Sequence, residues 1–157
     1  MATANSYTIL LVEDDPNDVL LIQRAFKTAN INFPMQIVTD GEAAIAYLTE
    51  TKAEANHERY PQPVLVLLDL HLPRKSGFEV LEWLRQQPRW RRLPVVILTS
   101  SAESGGINHA YELGANTYLV KPVRFEDLVV LVRTLHLYWL ILSEKPDVGS
   151  EFEKPIS

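Results

Sequence analysis

Apolar runs and amphipathic segments alternate along the chain. Five short runs rich in Val, Ile and Leu predict strands at residues 8–12, 35–39, 64–68, 94–98 and 117–120. Between and after them, apolar residues at helical spacing predict helices at about 16–28, 41–49, 76–87, 103–113 and 125–142. The segment 51–63 is polar, contains two prolines and is predicted to form a long surface loop.

The strict order of strand, helix, strand predicts a parallel sheet covered on both faces, because a right-handed crossover helix must follow each strand. The runs are uninterrupted by polar residues, which is typical of strands buried on both faces. The fold class predicted from the pattern is therefore α/β and doubly wound.

Local signals place several helix boundaries and faces. Asp15 is predicted to cap the first helix with Pro16 at its first position, and Gly114 to end the fourth. The residues predicted to face the core are Val19, Ile22 and Phe26 in the first helix, Ala44, Ile45 and Leu48 in the second, and Phe78, Leu81 and Leu84 in the third.

Polar residues follow four of the predicted strands. Glu13 and Asp14 follow the first, Asp69 the third, Thr99 the fourth and Lys121 the fifth. Any one of them alone would be read as a cap, a turn residue or a solvated side chain. Parallel sheets bind ligands outside the carboxyl ends of their strands, so the four endings together predict a site.

The residue types in this set indicate phosphoryl transfer. Clustered carboxylates repel one another and need a cation to hold them together. Ligands that are all oxygen favour Mg²⁺, which usually works on phosphate oxygens. A carboxylate can accept a phosphoryl group while a metal and an amine neutralise its charge, so the set predicts transfer onto an Asp side chain.

Composition narrows the classes of protein further. The chain has 157 residues, a net charge of −5, an apolar fraction of 46% and no cysteine. Disulfides, thiolate metal sites and a cysteine nucleophile are excluded, and a globular protein is favoured over a disordered one. The mild acidity gives no support for nucleic-acid binding.

Neither a secretory signal nor a membrane segment is visible. Residues 1–7 contain neither a basic nor an apolar region, and the apolar stretch 128–142 is interrupted by polar residues and too short for a bilayer. We therefore expect a cytoplasmic protein with no membrane partner.

One basic segment has two interpretations. It contains Arg85, Arg89, Arg91 and Arg92, with Trp83 and Trp90 among them. The segment could bind nucleic acid, but we expect instead the exposed end of the third helix and its following loop.

Five sequence motifs, in order and at the expected spacing, carry a resemblance to a known family. They are Ile9-Leu-Leu-Val-Glu-Asp-Asp15, Asp40-Gly-Glu-Ala-Ala-Ile-Ala-Tyr-Leu48, Leu67-Leu-Asp-Leu-His-Leu-Pro73 followed by Gly77, Val96-Ile-Leu-Thr-Ser100, and Gly114-Ala-Asn-Thr-Tyr-Leu-Val-Lys-Pro122. Over residues 7–142 the chain resembles the receiver domain of bacterial response regulators, the CheY-like family, with 143–157 left as a flexible tail. The resemblance implies a flavodoxin-like (βα)5 fold with strand order 2-1-3-4-5.

The resemblance also assigns the acceptor and its metal. Asp69 would accept the phosphoryl group. Asp14 would bind Mg²⁺ directly and Glu13 through water, with Asp69 and the backbone carbonyl of His71 as further ligands. Glu13 departs from the commoner Asp, which lengthens one arm of the metal site and keeps its charge.

Other residues would respond to the phosphoryl group. Thr99 would donate a hydrogen bond to it and Lys121 would pair with it. Tyr118 resembles the aromatic switch residue of the family, which would turn inward when Thr99 moves. The bond between Lys121 and Pro122 is expected to be cis.

The function implied is that of a stand-alone response regulator, phosphorylated by a histidine kinase, with no enzymatic activity beyond its own phosphorylation and dephosphorylation. An aspartyl-phosphate phosphatase on a similar scaffold is the alternative. Such phosphatases usually have a second Asp two residues after the nucleophile, where this chain has His71. A pseudo-receiver that only binds a partner is a weaker option because the site is intact.

The last helix and the residues after it indicate how the protein would pass on its signal. About 15 polar residues follow it, so we expect signalling through protein contacts, with a downstream partner that the sequence does not identify. Apolar residues lie nearly all round the helix, and either the tail covers them or a homodimer buries them through the region of helix four, strand five and helix five. Residues 134–139 resemble single-domain regulators that accompany bacterial phytochromes and pair through this region. A bacterial phytochrome is therefore the candidate kinase.

Overall fold

A computed structural model describes residues 7–51 and 53–142. Five parallel strands form one sheet in the order 2-1-3-4-5, which confirms the predicted fold class. The elements are β1 (Tyr7–Val12), α1 (Pro16–Thr28), β2 (Met35–Val38), α2 (Gly41–Glu50), β3 (Gln62–Leu68), α3 (Gly77–Gln86), β4 (Val95–Thr99), α4 (Ser104–Glu112), β5 (Thr117–Val120) and α5 (Phe125–Leu135). The predicted tail at 143–157 lies outside the described residues.

The central strands β1, β3 and β4 bury both of their faces, as their uninterrupted apolar runs predict, whereas the edge strands β2 and β5 are half-buried or exposed. Val66 and Leu68 of β3 pack in one core cluster with residues of α2 and α3. Leu65 and Leu67, which alternate with them, pack in a second cluster with residues of α1 and α5. Because successive side chains of a strand point to opposite faces, one strand contributes to both cores.

The predicted helix faces are mostly correct. Six of the nine residues predicted to face the core are buried: Ile22, Phe26, Ala44, Leu48, Leu81 and Leu84. The other three, Val19, Ile45 and Phe78, are half-buried. Tyr47 and Val80 are buried as well, although they were not among the residues predicted to face the core.

The helix boundaries follow from local capping. The Asp15 side chain accepts a hydrogen bond from the N–H of Asn17, so the predicted cap of α1 is confirmed. Ser76 and Glu79 form a capping box at the start of α3. Gly114, just beyond the end of α4, has a φ of 105°, a backbone conformation that glycine adopts without steric cost.

The last helix differs from its prediction as one α-helix over 125–142. α5 ends at Leu135, and His136–Leu142 continues as a π-helix. The π-helix has only seven residues, too few for the spacing of apolar residues to distinguish its i→i+5 hydrogen bonds from those of an α-helix. None of the helices in the described part of the chain is long and apolar enough to cross a membrane.

The segment 51–63 is more ordered than the predicted surface loop. It contains a 3₁₀ turn at Glu54–Asn56, and β3 begins within it at Gln62. The Thr51 hydroxyl donates a hydrogen bond to the Tyr60 carbonyl (2.6 Å), and the Tyr47 hydroxyl donates one to the Pro61 carbonyl (2.7 Å). These two buried bonds fix the segment against α2.

The prediction of an exposed basic segment after the third helix was wrong for four of its six residues, one of which is Trp83, half-buried against the core. Trp90 is 1% exposed and packs in the core, and Arg89 is also buried. The Arg85 guanidinium is half-buried and donates hydrogen bonds to the carbonyls of Gly114 (2.7 Å) and Leu93 (2.7 Å). The loop after α3 folds back onto the sheet, and Arg85 supplies the donors that its carbonyls need. Arg91 and Arg92 are exposed as expected.

The expected cis bond before Pro122 is also wrong. No peptide bond among the described residues is cis, so the bond between Lys121 and Pro122 is trans. The trans form is the one that proline-containing bonds favour intrinsically, by about 0.5–1 kcal/mol.

Candidate functional site

The carboxyl ends of four strands bring the predicted residues to one edge of the sheet. Glu13 and Asp14 follow β1 directly, and Asp69 follows β3, which pairs with β1. The turn after β1 is held by the Glu13 carboxylate, which accepts a hydrogen bond from the N–H of Asp15 (3.1 Å). The ends of the apolar strands thus determine the positions of these carboxylates.

Gly77 allows the chain to pass close to Asp69. A side-chain carbon at this position would lie 2.2 Å from the backbone carbonyl oxygen of Asp69. A contact this short with a backbone atom would force the chain to move. α3 can therefore begin directly against the turn that carries Asp69 only because residue 77 has no side chain.

Glu13, Asp14 and Asp69 form an acidic cluster. Each contributes one carboxylate oxygen, and these oxygens lie within 4.8 Å of one another. Glu13 is 1% exposed and Asp69 is 6% exposed, whereas Asp14 is open to solvent. Three oxygen ligands with open positions on the solvent side suit Mg²⁺, which keeps several of its waters.

Both oxygens of Asp69 accept hydrogen bonds. The Thr99 hydroxyl donates to Oδ1 (2.8 Å), and the backbone N–H of His71 lies 3.3 Å from the same atom. The Lys121 ammonium donates to Oδ2 (3.1 Å). The structure therefore joins Asp69, which follows β3, Thr99, the last residue of β4, and Lys121, which follows β5.

Lys121 contacts two carboxylates besides Asp69. It pairs with Glu13 and donates a hydrogen bond to Asp18 Oδ2 (2.8 Å). Asp18 was missed by the sequence analysis. The available signal was an acidic residue in the first turn of α1, the helix that begins at the same sheet edge.

The site shifts the pKa values of its two buried carboxyls in opposite directions. Burial raises the pKa of Glu13 to about 7, although hydrogen bonds from Lys121 and the N–H of Asp15 act against it. Burial also raises the pKa of Asp69, but the Thr99 hydroxyl and the Lys121 charge outweigh it and hold the pKa below its ordinary value. Asp69 is thus ionised at neutral pH.

The charge of Lys121 is stabilised by its surroundings. Burial lowers the pKa of this ammonium, but its hydrogen bonds to Asp18 and Glu13 and the nearby charge of Asp69 raise it above the ordinary range. The group therefore stays a cation over the whole physiological pH range.

Tyr118 lies beside the site on β5, where it pairs with Ile97 of β4. Its hydroxyl donates a hydrogen bond to the Ser101 carbonyl (2.7 Å), and the ring is half-buried. The switch role of Tyr118 and metal binding by the His71 carbonyl remain predictions.

Known proteins are similar to this chain in sequence and in architecture. The family model described as response regulator receiver domain matches residues 9–133. Response regulator Rcp1 of Synechocystis sp. is 42% identical over 132 residues, which are 84% of this chain and 88% of Rcp1.

Two solved structures are similar over nearly their whole length. The Mn²⁺-bound form of Rcp1 has a TM-score of 0.77 and 41% identity, covering 89% of this chain and 99% of that one. The phosphorylated cyanobacterial phytochrome response regulator RcpA has a TM-score of 0.79 and 36% identity, covering 89% and 98%.

The family match spans most of the chain, and Glu13, Asp14 and Asp69, from two of the motifs that carried the resemblance, form one acidic site that fits Mg²⁺ as predicted. The chain belongs to the response regulator receiver family.

Proposed function

We propose that Asp69 accepts a phosphoryl group from the phosphohistidine of a histidine kinase and that the phosphorylated chain signals by changing its contacts with other proteins. The observation that carries the proposal is the environment of Asp69, whose two oxygens accept hydrogen bonds from Thr99 and Lys121 beside the Glu13 and Asp14 carboxylates.

In the transfer step, a carboxylate oxygen of Asp69 attacks phosphorus and forms an O–P bond. The P–N bond of the phosphohistidine breaks, and its electron pair stays on the imidazole. Lys121 remains protonated throughout and neutralises charge on the phosphoryl oxygens. When bound, Mg²⁺ would be held by Asp14, Asp69 and the His71 carbonyl, with Glu13 through water, and would supply further positive charge at these oxygens.

The product carries more negative charge than the carboxylate it replaces. Thr99 can then donate its hydroxyl hydrogen bond to a phosphoryl oxygen instead of to Asp69. We infer that Tyr118 follows by leaving the Ser101 carbonyl and turning toward the space near Thr99. The phosphoryl group thereby biases an existing equilibrium between two conformations of α4, β5 and α5.

The kinase that we propose is a bacterial phytochrome. The support is similarity to RcpA, which is described as a phytochrome response regulator, at 36% identity over most of both chains. We place the receiver unit at residues 7–142 and its action in the cytoplasm.

We further propose a homodimer through α4, β5 and α5. The support is apolar surface in this region: Val120 of β5 is 42% exposed, and Tyr138, on the π-helix that continues α5, is 58% exposed. A groove of about 430 Å³ lies between β5 and the end of α5 and is lined by Leu119, Leu131 and Trp139 among others.

The phosphatase alternative is not favoured, since His71 holds the position of its second Asp.

The test replaces the acceptor. Asp69→Asn is expected to take up no label from a radiolabelled, phosphorylated histidine kinase, whereas the wild-type chain takes up close to one phosphoryl group per molecule. Asp127→Asn, an exposed Asp in the first turn of α5, is the control and should be labelled like wild type. Stoichiometric labelling of Asp69→Asn would show that the acceptor is another residue.

A further inference from the structure

The three N–H donors of the Lys121 ammonium have three carboxylate partners. Glu13 and Asp69, two of these partners, follow strands and belong to the acidic cluster. The third, Asp18, lies on α1 and approaches to 2.8 Å, which is closer than the 3.1 Å to Asp69. An ammonium has three donors and no acceptor, so these contacts use its whole hydrogen-bonding capacity.

Asp18 differs from the other two partners in its exposure. Its side chain is 31% exposed, against 8% for Asp69 and 1% for Glu13. It therefore reaches the ammonium from the solvent side of the site, opposite the buried strand ends. The Lys121 side chain is itself only 14% exposed, so water has little room to replace a lost partner.

A flexible stem makes the direction of this ammonium depend on its partners. Lysine has four rotatable bonds in its side chain, and its charged end takes whichever position its acceptors define. Phosphoryl transfer requires the ammonium to lie beside Asp69 before the donor arrives, because preformed charge stabilisation needs no reorganisation during the reaction. A contact from the solvent side limits how far the ammonium can move away from Asp69.

We propose that Asp18 is a positioning residue, which holds the Lys121 ammonium at Asp69 so that it can neutralise the incoming phosphoryl group. The inference rests on the proposed function, because it assigns Asp18 a part in phosphorylation of Asp69. In this proposal Asp18 contacts the Lys121 ammonium and affects the reacting atoms through it.

Two substitutions separate the contact from the charge. Asp18→Asn keeps an oxygen acceptor of the same size and loses the charge, whereas Asp18→Ala loses both. Both also remove the carboxylate from the first turn of α1, so any effect on the helix dipole is common to them. Differences between the two variants therefore report the hydrogen bond to Lys121.

The probe is acetyl phosphate with Mg²⁺, which avoids any effect on kinase docking. Its P–O bond breaks as the Asp69 O–P bond forms, and acetate leaves with the electron pair. We expect Asp18→Ala to be phosphorylated roughly tenfold more slowly than wild type, as is typical for the loss of one hydrogen bond to a charged group, and Asp18→Asn to remain within about threefold. Equal rates for the two variants, or a faster Asp18→Ala, would overturn the proposal.

A double-mutant cycle tests whether Asp18 acts through Lys121. In a Lys121→Gln background, which has no ammonium to position, replacing Asp18 by Ala should change the residual rate by less than about twofold. A full loss in that background would mean that Asp18 acts elsewhere, and the proposal would fail.

A measurement without phosphoryl donor or metal gives an independent readout. In ¹⁵N-lysine NMR spectra, the Lys121 ammonium should give a slowly exchanging signal in wild type and in Asp18→Asn. The signal should broaden or disappear in Asp18→Ala, and an unchanged signal would overturn the inference. If wild type itself fails to take up phosphate at Asp69, the proposed function fails, whereas normal wild-type uptake with a fully active Asp18→Ala defeats only the role of Asp18.

Discussion

At the scale of single residues, Glu13 combines a buried carboxylate with a place in the metal site. Its raised pKa, about 7, follows mainly from burial, and Lys121 beside it does not fully compensate. A carboxylate attracts the ion, directly or through a bound water, only when it is ionised, so ion binding and proton release at this residue are coupled.

We therefore expect Mg²⁺ binding to release close to one proton near pH 6, where Glu13 is mostly protonated, and almost none near about pH 8.5. Apparent Mg²⁺ affinity should rise with pH up to about 7 and then level off, because the proton to be displaced is then already gone. Titration calorimetry in two buffers of different ionisation enthalpy measures the released protons.

Glu13→Gln is the control for this coupling, because the amide is similar in size and does not ionise. It should bind Mg²⁺ more weakly and release few protons at either pH. Proton release that persists in Glu13→Gln would assign the coupling to a different group.

The sequence predicted the site residues that follow apolar strands and missed those that reach the site or the core from elsewhere. Asp69 and Thr99 were predictable because each ends an apolar run, and parallel strand ends share one edge. Asp18 pairs with Lys121 across 103 residues, and Arg85 reaches Gly114 across 29. Such contacts depend on where long side chains meet after folding, and local spacing does not encode this.

At the scale of elements, Arg85 joins α3 to the segments around β4 and β5. Its Nη1 donates to the Leu93 carbonyl just before β4, and its Nη2 donates to the Gly114 carbonyl and to Asn116 Oδ1. Burial lowers the pKa of the guanidinium, and these three acceptors are neutral oxygens. The planar fork of the guanidinium is therefore used for its geometry.

Replacing Arg85 with Lys should lower the free energy of unfolding by roughly 2 kcal/mol, because one ammonium cannot reach carbonyls in three directions. Arg85→Met should cost more, since it leaves all of these acceptors without a donor. Urea denaturation followed by circular dichroism gives both values.

Arg92→Lys is the matched control, because Arg92 is exposed. Its free energy of unfolding should stay within about 0.5 kcal/mol of wild type. An Arg85→Lys variant as stable as this control would show that the hydrogen bonds of Arg85 contribute nothing net.

The same substitution at the two ends of α4 should have opposite effects. Gly105, in the first turn, has open space around the position of an added side-chain carbon. Gly114, beyond the end, has a φ of 105°, and an added carbon would lie 2.9 Å from Arg85 Nε.

We expect Gly105→Ala to raise the free energy of unfolding by about 0.5–1 kcal/mol through helix propensity and a less flexible unfolded chain. Gly114→Ala should lower it by at least about 1–2 kcal/mol, because the backbone conformation is strained for alanine and Arg85 is displaced. Thermal or urea unfolding measures both, and shifts of the same sign would contradict the assigned roles of the two glycines.

The elements themselves were predicted well because their signals are local. The N-cap at Asp15 and the break at Gly114 are read from single residues and their neighbours. The extension of α5 into a π-helix and the early start of β3 were not predicted. The first needs a hydrogen-bond register that the apolar pattern does not distinguish, and the second depends on pairing with β1 across the sheet.

At the scale of the whole molecule, the two faces of the sheet are both covered, and apolar surface remains at the edge formed by β5. β5 pairs only with β4, which makes it an edge strand of the described sheet. The Tyr111 hydroxyl accepts a hydrogen bond from the Tyr118 N–H (3.0 Å), which occupies one donor of this edge. A partner at this face would therefore bind mainly through side chains of β5 and α5 rather than by extending the sheet.

A homodimer through this face predicts a specific response to charge. Tyr138 is 58% exposed and lines the groove beside β5, and Leu20 on α1 is 57% exposed but lies outside α4, β5 and α5. In a twofold interface each substitution occurs twice, so Tyr138→Glu buries two carboxylates, whereas Leu20→Glu leaves both in solvent. We expect wild type and Leu20→Glu to sediment as dimers at micromolar concentration and Tyr138→Glu as a monomer. Only monomers for wild type, with and without phosphorylation, would rule out the dimer, and a dimeric Tyr138→Glu would place the interface on another face.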